Sequence, residues 1–394
     1  MTTSEALEIE IISLPPLTEI RFLMNVGDKV NVELTDGTAV SFGWKLPTHT
    51  QIEFSNQSFS ITTKSGCTIK ISGRYISYYT TSFKDEDFSL CPYMEIVNSV
   101  KESVDNAHPP TVIIVGAPSV GKTTLCKWIC NTILSSGPQS HVPIFINADP
   151  DQSPFCPPGC IGAIPITTPI NNYGFPFTDP LMYMFSATKV DEKRNSLYID
   201  QMKELMRHVA ERRKASGTLD GGTVIDFPTV NTKCIFDVLG TIITSYEEGI
   251  AKSLGPLRVV VVGNDKLFTN LLRTFPGLPL YKVPMLPGVI PLSKEAKAEI
   301  RRNEIARYFY GDGHPDLLPQ TYLLGKEEVP LYSLGQWRVL NDSMMPINYE
   351  YQDPKEVFPV SFGDIMRSFI LAILPQENKS IIWKQSILGF IHVI

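Results

Sequence analysis

The segment Gly116-Ala117-Pro118-Ser119-Val120-Gly121-Lys122-Thr123 sets four residues between two glycines and follows the second at once with a lysine and a threonine. That spacing suits a phosphate. Glycines let the backbone curl until several N–H groups point inward at one anion. A helix that begins at the lysine adds its unpaired N–H groups and the positive end of its dipole. Lys122 would bridge β- and γ-phosphates, and Thr123 would give its hydroxyl to Mg²⁺. Gly116, Ser119, Val120, Gly121, Lys122, Thr123 and Thr124 are therefore expected to hold a nucleoside triphosphate, taken as ATP. The bland alternative is a glycine-rich turn without a ligand. The apolar run Val112–Val115 before the loop and the helix-forming residues after it favour the phosphate reading.

Asp149-Pro150-Asp151-Gln152 is the next group able to do chemistry. Two carboxylates beyond a strand end can hold Mg²⁺ through water or accept a proton from an attacking hydroxyl. An acidic turn stiffened by Pro150 accounts for the same residues. Asp226 closes the run Val224-Ile225 and can serve as a Walker B acid or as an ordinary strand-end aspartate. Lys294, Lys297, Arg301, Arg302 and Arg307 recur along an expected helix over 293–309. Some could fold over the triphosphate as a lid or touch an RNA backbone. Glu295, Glu299 and Glu304 are interleaved, and charge pattern alone favours a solvated face. Seven scattered cysteines, with Cys126/Cys130 and Cys156/Cys160 each four apart and no histidine nearby, give neither a zinc site nor a disulfide framework.

The elements that must position these residues can be read from periodicity. Val30, Val32 and Leu34 alternate with polar residues, as in a half-buried strand, and Asp36-Gly37 signals a turn. Ser60–Thr63, Cys67–Ile71 and Tyr75–Tyr79 continue the pattern and predict a small sandwich or barrel. Tyr93–Ala107 predicts a helix, ended by His108-Pro109-Pro110. Strands are expected at Val112–Val115, Pro143–Asn147, Val224–Asp226, Val259–Val262 and Leu280–Val283, and helices at Lys122–Leu134 and 192–214. This alternation predicts an α/β unit, a parallel sheet covered on both faces. After Tyr310-Gly311, short runs at Tyr332–Leu334, Pro359–Phe362 and Phe390–Ile394 predict a small β-rich unit. The expected division is 1–92, 93–312 and 313–394. The chain stops inside the last apolar run, so a short C-terminal unit is expected.

Length and composition set the frame. The 394 residues are 43% hydrophobic, enough for a substantial core. A formal charge of −6 supplies no global field for nucleic acid, so RNA contact must come from a local patch or from partners. The first residues lack a basic start followed by an apolar stretch, and the run Phe369–Leu374 is too short to span a bilayer. An intracellular, soluble protein without membrane contact is expected.

Several motifs coincide with one family. Asp149-Pro150-x-Gln152 leads into Pro158-Gly159-Cys160 and Ala163-x-Pro165, and Ile305-x-Arg307-Tyr308-Phe309-Tyr310-Gly311 follows downstream. With the phosphate loop, this resembles the P-loop subunit of the eukaryotic pre-mRNA cleavage and polyadenylation factor. That family also includes polynucleotide 5′-hydroxyl kinases. Thr18–Phe22 and Phe42-Gly43-x-x-Leu46 fit it as well. The resemblance implies an N-terminal β domain leaning over the nucleotide, a central P-loop domain and a C-terminal β-rich domain. It implies that Glu19 contacts adenine, with a lysine on a nearby strand, although Ser58 stands at that position. It implies ATP and Mg²⁺ as ligands, with Asp149 the base in active kinases and Gln152 nearby. A nuclear location and a scaffold subunit as partner follow from the same likeness.

One departure bears on activity. Kinase members carry Thr-x-Gly-Trp-x-x-Gly-x-Gly after the third strand to clamp the RNA end. Here Asp226-Phe227-Pro228-Thr229-Val230-Asn231-Thr232-Lys233-Cys234 has neither Gly-Trp nor the later glycines. An attacking hydroxyl must be held in line at near contact, so a base without a clamp is not sufficient. The pattern resembles fungal-type members that hold ATP without evident kinase activity. An active RNA 5′-hydroxyl kinase remains the alternative, and a nucleotide-hydrolysing switch, with Gln152 its one water-positioning candidate, ranks last.

Overall fold

A computed structural model describes residues 9–394 other than 26, 56–57, 83–90, 136–140, 217–218, 231, 286–288, 290–292, 312–316, 324, 326–327, 336–352, 362, 364–365 and 377. The first part folds as β1 (Glu10–Leu14), β2 (Thr18–Leu23), β3 (Lys29–Gly37), β4 (Val40–Ser41), β5 (Trp44–Lys45), β6 (Gln51–Ser55), β7 (Phe59–Thr63), β8 (Cys67–Gly73) and β9 (Ser77–Ser82). They pair antiparallel into two sheets, in the orders β1-β8-β3-β6 and β5-β4-β7-β2-β9. Alternation decides which face is inside. Val30, Val32 and Leu34 are buried while the residues between them are not. Phe59 stacks between Phe22 and Phe54, with ring centroids 4.7 and 3.9 Å away. Each such buried ring contributes about 1.5–3 kcal/mol.

The expected turn at Asp36-Gly37 is instead the end of β3, reached through a register shift between Leu34 and Asp36. Gly37 has φ of 82°, and a Cβ there would stand 2.3 Å from the Gly66 carbonyl oxygen, so two backbones meet where only glycine fits.

Helix α1 (Cys91–Asp105) leads to the α/β unit, and Ala107 at a φ of 59° and the prolines behind it turn the chain into β10 (Thr111–Gly116). There follow α2 (Lys122–Leu134), β11 (His141–Asn147), β12 (Cys160–Pro165), β13 (Leu181–Met184), α3 (Asn195–Ala215), β14 (Leu219–Asp226), α4 (Lys233–Ser245) and a π-turn at Tyr246–Ile250. Then come α5 (Ala251–Leu254), β15 (Leu257–Val262), α6 (Asp265–Thr274), β16 (Leu280–Val283) and α7 (Lys294–Tyr310). The sheet order is β13-β12-β11-β14-β10-β15-β16. Its five strands from β11 to β16 run parallel, and β12 and β13 add antiparallel at one edge. The sheet is therefore mixed at that edge. Every residue of β10 is buried, as a central strand covered on both faces requires.

The C-terminal part pairs β17 (Leu331–Leu334) with β18 (Val357–Val360) and β19 (Ile370–Ile373) with β20 (Gly389–His392). It docks on the edge of the central sheet. The Ile387 amide donates to the Met182 carbonyl at 2.8 Å, and buried Gln201 donates to the Trp383 carbonyl at 2.7 Å. Among the described residues, no helix is long and apolar enough to cross a membrane.

Candidate functional site

The chemistry-bearing residues gather beyond the C-terminal ends of β10, β11 and β14, where open parallel sheets bind ligands. Gly116 ends β10 inside the sheet, and a Cβ there would lie 2.5 Å from the Val262 carbonyl oxygen. The loop then curls. Ser119 has φ of 52°, and Gly121 at 98° caps the start of α2. No side chain caps that helix end, which leaves its first N–H groups for an anion.

Lys122 is buried and donates to the Ala117 carbonyl at 3.2 Å and to Thr229 Oγ1 at 3.4 Å. The Thr123 hydroxyl donates to Asp226 Oδ2. Asp226 Oδ1 is buried with no hydrogen-bond partner among the described residues. A buried carboxylate oxygen beside a threonine hydroxyl is a donor set suited to Mg²⁺, so Thr123 and Asp226 fit the ion that the phosphate loop implies. Burial pushes the Asp226 carboxyl up, opposed by Lys122 and by the Thr123 hydrogen bond.

Asp149 sits just past β11. Tyr198 donates to the Ala148 carbonyl at 2.7 Å, Asn147 to the Asp149 carbonyl at 2.9 Å, and the Asp151 amide to Asp149 Oδ1 at 2.9 Å. Burial raises the Asp149 carboxyl to about 6, with Asp226 and Asp151 adding to the rise and Lys122 opposing it.

These groups line one cavity of about 710 Å³ with residues of the sandwich and of α7. That volume lies within the roughly 300–1,000 Å³ of small-molecule sites. Ser58, Ser119, Val120, Gly121, Lys122, Thr123, Thr124, Asp149 and Gln152 all line it. Ser58 accepts from the Met24 amide at 3.2 Å. Glu19 and Gly116 are not among the lining residues. Glu19 lies beneath the wall, its Oε1 2.9 Å from Arg21 Nε, and Arg21 is the side chain that faces the cavity. Burial raises the Glu19 carboxyl and Arg21 opposes that rise.

Residue patterns alone left several wall residues out. Lys127 follows Thr124 by three positions, so helix geometry puts it on the same face, and that was a readable signal. It is half-buried, lies 5.6 Å from the Phe175 ring centroid, and burial lowers its ammonium. Arg21 and Phe42 fell within segments that fit the family but were assigned no role, and Ile76 carried no signal.

The basic helix divides by face. Ser293 caps α7 by accepting from the Ala296 amide at 3.1 Å, and Gly311 ends it at a φ of 78°. Lys297, Arg301 and Glu304 line the cavity, whereas Arg302 is exposed and paired with Glu299. Arg301 Nη1 lies 2.7 Å from Asp151 Oδ1. The solvated-face expectation therefore holds for the outer side of this helix and not for the inner one.

The sandwich and the sheet are joined at α2. Asn131, fully buried, donates to the Phe42 carbonyl at 3.0 Å and the Ile170 carbonyl at 2.9 Å, and accepts from the Ile170 amide at 2.8 Å. Gly43, at a φ of 79°, passes so close that a Cβ would lie 3.0 Å from both Asn131 Cβ and the Trp128 carbonyl oxygen. Asn172 adds a bond to the Glu53 carbonyl at 2.9 Å.

Known proteins resemble this chain in sequence and in fold. A family model described as the mRNA cleavage and polyadenylation factor CLP1 P-loop matches residues 116–311. A second, the N-terminal β-sandwich domain of polyadenylation factor, matches 13–101. The chain is 30% identical over 352 residues to the protein CLP1 homolog of Drosophila yakuba, covering 86% of this chain and 78% of that one. It is 26% identical over 383 residues to the polyribonucleotide 5′-hydroxyl-kinase Clp1 of Danio rerio, covering 92% and 80%. A solved Clp1p–Pcf11p complex superposes with a TM-score of 0.80 at 21% identity, covering 97% of this chain and 90% of that one. Another, with the same TM-score, describes an extended interface between Pcf11p and Clp1p and the basis of ATP loss in a point mutant. At that identity the two structures speak to the fold.

Proposed function

The chain belongs to the family of the mRNA cleavage and polyadenylation factor CLP1, and from that premise we propose that it is the ATP-binding subunit of the machinery that cleaves pre-mRNA before poly(A) addition, with ATP a structural ligand that is not spent on phosphoryl transfer. The observation that carries this reading is the contrast between two loops flanking Lys122. One, 116–123, is curled for a triphosphate tail. The other, where kinase members carry an RNA clamp, folds back on the first. The Phe227 amide donates to the Ile114 carbonyl at 3.1 Å, the Val230 amide to the Gly116 carbonyl at 3.3 Å, and Thr229 meets Lys122. Phe227 is buried, so at this end the loop packs beneath the cradle and supports it.

In this reading Ser119–Thr124 would hold the triphosphate and Thr123 and Asp226 the Mg²⁺, with Asp149 and Gln152 lining the same cavity. Ser58 and Arg21 would face the base, with Glu19 holding the guanidinium in place. The filled cavity fastens the sandwich to the P-loop unit, and the joined surface meets a scaffold subunit in the nucleus. The related Clp1p bound to Pcf11p supports a partner of that kind.

Denaturing the purified protein and identifying the released nucleotide tests this. Wild type releases intact ATP at close to one per chain, and Lys122→Ala releases at least about tenfold less, since 1.4 kcal/mol is a factor of ten. Released ADP, or equal nucleotide from both proteins, would sink the structural-ligand reading.

One observation favours the kinase alternative. Asp149, at about 6, has the basicity of a general base working near neutral pH. Incubation with γ-labelled ATP and a 5′-hydroxyl oligonucleotide distinguishes the two. Label transfer above that of Asp149→Ala establishes a kinase, and its absence leaves the structural role.

A further inference from the structure

Helix α7 turns one face to the cavity: Ser293, Ala296, Lys297, Ile300, Arg301 and Glu304, at intervals of three and four. None of its residues is fully buried, so that face is not tightly packed by the described residues. Its C-terminal end is fixed. The Phe390 amide donates to the Tyr308 hydroxyl at 3.2 Å, and Arg307 donates to the Phe175 carbonyl at 2.9 Å. Nearer the N-terminal end Arg301 pairs with Asp151, 2.7 Å away, and both line the cavity.

Asp151 stands at the phosphate-tail end. Its amide is bonded to Asp149, whose carboxyl feels Lys122 and Asp226, while Ser58 and Arg21 of the sandwich line the same cavity. A guanidinium here therefore has two possible anionic partners, the Asp151 carboxylate and a terminal phosphate. A phosphate offers more charge and more acceptor oxygens, in the geometry that arginine matches best.

We propose that Asp151 and Arg301 form a latch: Asp151 holds the lid arginine when the site lacks a γ-phosphate, and a nucleoside triphosphate takes Arg301 away from it, so the pair sets the preference for ATP over ADP. This rests on the reading of the cavity as an ATP site. ADP presents no terminal group at that end and leaves the pair intact. ATP must break it first. Asp151 thus lowers ATP affinity by the strength of the pair while ADP affinity is unaffected. For a pair of this exposure that is up to about fivefold.

The test is a titration of the full chain, freed of nucleotide, with ATP and with ADP in Mg²⁺. Four proteins are compared: wild type, Asp151→Asn, Arg301→Gln and the double variant. Asp151→Asn should tighten ATP about two- to fivefold and leave ADP within about 1.5-fold. Arg301→Gln should cost more ATP affinity in the Asp151→Asn background than in wild type, because only there does the arginine give up nothing to reach phosphate. Equal tightening of ATP and ADP by Asp151→Asn would reduce Asp151 to a general repulsion and overturn the latch. A larger cost of Arg301→Gln in wild type would mean that Asp151 orients the arginine toward phosphate, which overturns it too. If none of the four folded proteins bound either nucleotide, the ATP reading would fall, and the latch with it.

Discussion

Asp149 shows what burial at the cradle costs a single residue. Its carboxyl titrates near 6 in the folded protein against an ordinary 3.8. The folded state therefore binds the proton more tightly than the unfolded state. Stability from this group is fully present below the unfolded value and is lost as pH rises through 6. Holding the ionised carboxylate in this site at higher pH costs about 3 kcal/mol. Asp149→Asn should accordingly stabilise the nucleotide-free protein by about 1–3 kcal/mol at pH 8 and by little near pH 4. Urea unfolding at the two pH values checks this, and an equal effect at both would mean that the carboxyl is not strained by burial. The same residue explains why ligand-site residues tend to be destabilising: a charge placed for a cation or a proton sits in an unfavourable site until that partner arrives.

At the level of elements, α2 connects the cradle to the sandwich. Asn131 satisfies three backbone groups, two on Ile170 and one on Phe42. Asn131→Ala leaves them buried and unpaired, at about 1–3 kcal/mol for each group that water cannot reach. We expect a total loss of about 2–4 kcal/mol and faster hydrogen exchange at residues 42–43 without loss of the sheet. A loss confined to overall melting, with 42–43 still protected, would show that the sandwich is held elsewhere. Asn131 also marks the limit of what sequence offered. Local periodicity revealed the strands at Val30–Leu34 and Val259–Val262 and the helix after Lys122, because each is a pattern within one element. It did not reveal α4 or α6, whose caps at Thr232 and Asn264 were the readable signs. Nor did it reveal the antiparallel edge of β12 and β13. Such short apolar runs carry no direction, and which way they pair is decided by the sheet they join. Within the site, the phosphate loop was legible because its residues are adjacent in sequence. Thr123 with Asp226, and Asp151 with Arg301, are separated by 103 and 150 positions, and only the folded sheet brings each pair together.

For the whole molecule, a ligand that touches both sandwich and sheet stabilises both. At a hundredfold excess over Kd it adds about 2.7 kcal/mol to unfolding. Mg-ATP should therefore raise a single, shared melting transition and protect amides at 58–60 as well as at 119–124. Protection limited to 119–124 would make the sandwich a bystander. A chain of −6 charge also needs local features to meet RNA, and the inward-facing cations of α7 are directed at the cavity. The isolated chain is then expected to bind RNA weakly. Salt dependence of RNA binding by the isolated chain, expected to be shallow, measures that directly.

Nine helical steps carry the chain from Lys122 to Asn131, about 13.5 Å at 1.5 Å per residue. A rod of that length hardly compresses or twists, so it acts as a ruler between the phosphate tail and the hook on Phe42. Its markings are angular as well as linear. One extra alanine inserted between Cys126 and Asn131 would swing the hook by about 100° while residues 116–126 kept their own register. The same turn would swing Ile133 and Leu134 out of the core they share with the central sheet, so parting the halves would also cost the P-loop unit some of its own packing.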